Sequence, residues 1–92
     1  MAGAAAREHR EAIARLRGGD WQAAHAIVKD LEDPLACRIH ALCHRIEGDT
    51  ANARYWYRRA KVRLDDARGI DDELAELAAI AGPLRAVRRR GA

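Results

Sequence analysis

Apolar residues recur along this chain at helical spacing. Trp21, Ala24, Val28 and Leu31 fall on one helix face with Ile27 beside them, and Leu35, Ile39, Leu42 and Ile46 form a second stripe widened by Ala36 and Cys43. Ala53, Tyr57, Ala60 and Leu64 make a third, with Trp56 alongside, and Leu74, Leu77, Ala78 and Ala81 a fourth. The N-terminal pattern is thinner, with Ile13 and Leu16 as its strong apolar residues. The stripes predict helices over about 5–16, 21–31, 34–47, Asp49 or Thr50 onward through Leu64, and 71–80.

The breaks between stripes carry their own chemistry. Arg17-Gly18-Gly19 stops the first helix, because glycine weakens helix and accepts the left-handed conformation of a C-cap, and Asp20 then caps the next. Pro34 suits a first-turn position after Glu32-Asp33. Gly48 ends the third helix, and Asp49 or Thr50 caps the fourth. Asp71, Asp72 and Glu73 suit the positive end of the fifth helix, and Gly82-Pro83 breaks the pattern.

Two of these junctions are degenerate copies. Gly19-Asp20-Trp21-Gln22-Ala23-Ala24 and Gly48-Asp49-Thr50-Ala51-Asn52-Ala53 lie 29 residues apart, and helix, tight turn and helix at such a period mark stacked α-hairpins. The expected fold is all-α: two stacked antiparallel helical hairpins, with the fifth helix as a C-terminal cap over the second. Residues 1–82 are expected to form one domain, and 83–92 a basic, mobile tail. A chain of 92 residues is near the lower limit for a self-sufficient core, and a two-hairpin array leaves end faces bare, so a homodimer is expected.

The repeat resembles a tetratricopeptide motif. That family's turn glycine, aspartate and aromatic match Gly19, Asp20 and Trp21, with Ala24 at its small packing position; Gly48, Asp49, Ala53, Tyr57 and Ala60 match in the second copy. A further stretch, His40-Ala41-Leu42-Cys43-His44-Arg45-Ile46-Glu47-Gly48-Asp49 followed by Asn52-Ala53-Arg54-Tyr55-Trp56-Tyr57-Arg58-Arg59-Ala60, is similar to a set of small bacterial and fungal proteins of unknown function. That second resemblance spans roughly residues 16 to 60; it implies a shared fold and supplies no activity.

Composition narrows the function classes. The net charge of +3 is owed to Arg85, Arg88, Arg89 and Arg90, since the remaining 13 Lys and Arg nearly match 14 Asp and Glu. No run approaches the ~20 apolar residues of a membrane span, and Met1–Arg10 lacks the pattern of a secretion signal. Cys37 and Cys43, six apart on one helix, stand about 9 Å apart along its axis, too far for a disulfide. Free thiols without a signal predict a cytoplasmic protein. No Gly-rich phosphate loop, Cys-x-x-Cys pair or Ser-centred elbow is present.

One polar cluster stands out. His40 and His44, four apart, project from the same helix face where a core helix would show Leu or Ala, and His25 lies at the edge of the preceding apolar arc beside Trp21. Glu47 offers a fourth ligand, an orienting partner or a base, and Cys37 an alternative ligand. The plainer account is a buried set hydrogen-bonded to Glu47, Tyr55 or Tyr57. Arg38 and Arg45 are read as a solvent-facing stripe, and Arg54, Arg58 and Lys61 as a solvated basic ridge beside Tyr55-Trp56-Tyr57.

The leading expectation is a small non-enzymatic interaction or ligand-binding module. It would present Trp21, His25, His40, His44, Glu47 and Tyr57 to an unknown protein, peptide or small ligand, with no membrane partner and nucleic acid disfavoured. One alternative is a metal-dependent hydrolase or metal-binding protein holding zinc, nickel or copper on His25, His40 and His44. Another is nucleic-acid binding through the arginine-rich tail.

Overall fold

The computed structural model describes residues 5–83. They form α1 (Ala6–Arg17), α2 (Trp21–Val28), α3 (Pro34–Glu47), α4 (Thr50–Arg59) and α5 (Ile70–Ala81), with no strand among the described residues. The expected tail residues Arg85, Arg88, Arg89 and Arg90 lie outside the described residues. Among those described, no helix is long and apolar enough to cross a membrane.

The repeated Gly-Asp pair builds the same junction twice. Gly19 (φ 82°) and Gly48 (φ 93°) take the left-handed conformation, which a Cβ disfavours by roughly 1–2 kcal/mol. The following aspartate then works in both directions. Its backbone N–H donates back to the ending helix, Asp20 to Arg15 O at 2.9 Å and Asp49 to His44 O at 2.8 Å. Its carboxylate caps the starting helix, accepting from Ala23 N at 3.0 Å and from Asn52 N at 3.2 Å. Asp33 caps α3 in the same way, accepting from Ala36 N at 3.1 Å, with Pro34 opening the helix.

Two helix ends differ from the periodic reading. α2 stops at Val28, although Leu31 still packs on the core. α4 stops at Arg59, short of Leu64. Lys61 adopts φ 61°, its N–H donates to Arg58 O and that of Val62 to Tyr57 O, both at 2.9 Å. This is the left-handed helix closure glycine usually supplies, here built on a lysine. It turns Val62 and Leu64 back onto Ala41, Ala53 and Tyr57.

α3 contacts each of the other four helices. The main core joins Ala12, Ile13 and Leu16 of α1, Ala24 and Val28 of α2, Ile39 and Leu42 of α3 and Leu77 of α5. A smaller core under α4 consists of Ala41, Ala53 and Tyr57, with Trp56 against it. α5 packs along α1 and α3 and reaches α4 through the Tyr57–Glu73 hydrogen bond. A buried polar network holds it there. Glu73, only 3% exposed, accepts from Tyr57 Oη at 2.6 Å and Arg45 at 3.1 Å, with Arg38 at 3.6 Å from its other oxygen. Arg38 also bridges to Glu76 at 3.3 Å, and Arg68 pairs with Glu76. Arg38 and Arg45 are therefore not a wet stripe: their side chains are 14% and 13% exposed and anchor α5.

Candidate metal centre

α2 and α3 bring three imidazoles together. His25 lies edge-on to His40 with ring centroids 4.6 Å apart and to His44 at 5.2 Å; His40 and His44, one turn apart on α3, are 5.0 Å apart and nearly parallel. One ring nitrogen from each of the three falls within 4.8 Å of the other two. His40 and His44 are buried, and His25 is half-buried.

Each ring has a distinct environment. His44 Nδ1 lies 2.9 Å from Glu47 Oε1. A carboxylate can only accept, so His44 donates from Nδ1, which leaves Nε2 as its candidate ligand atom. His40 stacks on Trp56 of α4 at 3.8 Å and 16°, while its Nδ1 is buried with no hydrogen-bond partner. Burial, then the neighbouring His25, His44 and Arg59 charges, lowers the His40 pKa to about 4. Burial and His44 also lower that of His25. Both rings are thus neutral at pH 7, the form that binds a metal.

The outer wall belongs to α4. The Arg59 guanidinium sits 4.9 Å from the Trp56 ring and 5.9 Å from that of Tyr55, and Tyr55 meets Trp56 edge-on at 5.2 Å. Trp56 thus packs flat on one imidazole of the cluster and is itself in contact with Arg59.

The remaining sequence candidates divide. Glu47 joins the cluster through His44. Trp21 packs instead against the main core, and Tyr57 turns to Glu73. Burial and the Glu73 carboxylate push the Tyr57 hydroxyl well above the usual phenol range. Cys37 Sγ faces Glu32 O at 3.6 Å, and the buried Cys43 thiol is pushed up to about 12. Asp49 comes near His44 and Glu47, but its carboxylate is committed to capping Asn52. Sequence reasoning missed two residues, Trp56 as the partner of His40 and Glu73 as a buried acid. A signal for the first was available: His40 and Trp56 lie eight residues on either side of Gly48, where chain reversal brings positions together.

No family model matches this chain, and neither a curated protein nor a solved structure is significantly similar to it.

Proposed function

We propose that this protein is a small helical ligand-binding module whose ligand is a divalent transition-metal ion held by His25, His40 and His44. The observation that carries the reading is a triangle of three imidazoles, one of which, His40, has a buried Nδ1 without a hydrogen-bond partner. Leaving such a group unsatisfied costs about 1–3 kcal/mol, which a bound ion recovers by organising the ligands around itself. Glu47 supplies the outer hydrogen bond that sets the His44 tautomer. Nitrogen donors suit zinc, nickel and copper over magnesium or calcium. Burial of His40 and His44 favours an ion over a peptide as the ligand, and the commitment of Glu47 to His44 favours holding the ion over hydrolysis.

The architecture that serves this site is read as two tetratricopeptide-like hairpins, α1–α2 and α3–α4, stacked through α2 and α3, with α5 as a cap. The duplicated Gly-Asp junctions and the contacts of α1 with α2, α2 with α3 and α3 with α4 support it. Three ligands drawn from both hairpins make the ion a clamp between them.

The test is metal analysis on untagged protein, with melting temperature followed as zinc, nickel or copper is added. Stoichiometric binding is expected, with a stabilisation of about 2.7 kcal/mol when free metal reaches about 100 times Kd. Both are lost in the His40→Leu/His44→Leu double variant. Protein that takes up no metal and melts at the same temperature with or without it would remove the proposal.

A further inference from the structure

Charge is segregated on this fold. Of the 13 Lys and Arg within residues 5–83, five lie in the stretch 50–64, which holds none of the 14 Asp and Glu. The stretch is α4 and its exit turn, so one helix carries a concentrated positive field while the rest of the described chain is acidic on balance.

The left-handed closure at Lys61 shapes that charge. Because the chain turns back there, Arg63, Val62 and Leu64 come alongside Arg54, Arg58 and Lys61 to line an open cleft of about 560 Å³. Arg54 and Arg58, four residues apart on α4, lie about 6 Å apart along its axis, and Lys61 follows them in the exit turn. Among the four cations of the cleft, Arg54 has a carboxylate partner, Asp66 at 3.9 Å; Arg58, Lys61 and Arg63 form no ion pair among the described residues. The adjacent face of α4 carries Tyr55, 45% exposed, set edge-on to Trp56 with Arg59 close to both rings.

We infer that α4 and its exit turn form a binding surface for single-stranded nucleic acid, with phosphates along the Arg54–Arg58–Lys61–Arg63 cleft and a base against Tyr55. An acidic peptide would answer to the cations but would leave the exposed aromatic without a role. A row of cations beside a stacking platform matches the two recurring features of a single strand, its charge and its π-faces. The surface does not depend on the histidine cluster.

The experiment is fluorescence anisotropy of the full chain with short labelled single-stranded DNA and RNA across a salt series. An Arg54→Gln/Arg58→Gln/Lys61→Gln variant should bind more weakly and lower the slope of log K against log salt by about two, at about 0.7 per phosphate contact. Tyr55→Ala should weaken binding roughly fivefold to a hundredfold and leave the slope unchanged. A variant with Arg85, Arg88, Arg89 and Arg90 all changed to Gln should retain most of the affinity. Circular dichroism and the cooperative thermal melt report that each variant is folded. Absence of binding at low salt overturns the inference, as does loss confined to the tail variant. Equal binding of a poly-glutamate peptide, with no effect of Tyr55→Ala on either probe, would assign the surface to an acidic protein and overturn it too.

Discussion

α3 carries a polar cluster on each of two faces, and they differ in what they do with their hydrogen bonds. Towards α5, Glu73 is met by Tyr57, Arg45 and Arg38, and Arg45 also donates to Arg68 O at 2.7 Å. The charges compensate one another and the buried carboxylate is satisfied; the group left without a partner, Arg38 Nε, is a donor. Towards α2 and α4, the histidine cluster has a single internal hydrogen bond, from His44 to Glu47, and leaves His40 Nδ1 without one. A network whose acceptors are filled by its own donors has no lone pair left for a metal ion. One that stays open in the same interior, with His25 and His40 held neutral by burial, has lone pairs available.

The largest effect should come from breaking the closed network. Glu73→Leu strands Arg45 and Arg38 against α5, and should cost about 3–5 kcal/mol by denaturant unfolding. A cost under about 1 kcal/mol would mean that α5 is held by Leu77 and its neighbours alone. Tyr57→Phe deletes one bond to the same carboxylate and should cost about 1.5–3 kcal/mol.

The open cluster should respond in the opposite sense. In chelator, His40→Leu should change stability by no more than about 1 kcal/mol, because it replaces an unsatisfied buried group, yet it should abolish metal-induced stabilisation. A penalty as large as that of Glu73→Leu would make the two clusters alike and end the distinction. The metal-free protein should also be pH-sensitive. The folded-state pKa of His40 is lowered to about 4, so the unfolded chain takes up protons first as pH falls. Melting temperature should hold steady above about pH 6.5 and decline from there towards pH 4, with a shallower decline in His40→Leu.

The smallest effects test the two glycine-like closures against each other. Gly48→Ala forces a Cβ into φ 93° with no contact to offset it, and should cost about 1 kcal/mol. Lys61→Gly relieves the same conformation and should gain a few tenths to about 1 kcal/mol in thermal melts. If both substitutions prove neutral, the left-handed closures are not what positions α4.

The helices, their starts and the Gly-Asp junctions were legible in the chain because their causes are local. Asp20, Asp33 and Asp49 cap backbone groups three residues away, and Gly19 and Gly48 answer to their own φ. Apolar stripes likewise named the core, down to Leu77 and Ala53. The histidine trio was legible in part, since the i,i+4 spacing of His40 and His44 needs only α3, while the approach of His25 needs α2 to pack beside it.

Charge misled where burial depends on a partner distant in sequence. Arg38 and Arg45 read as solvent-facing because, seven apart, they share the charged stripe of α3, and Glu73 read as a dipole-complementing residue of a first turn. They are 28 residues apart or more. By itself, then, the order of amino acids determined which segments become helix and which faces turn inward, through interactions spanning a few residues. Only the tertiary structure decided which buried polar groups are satisfied by one another and which are left open, because that pairing exists only once α2, α4 and α5 are packed against α3.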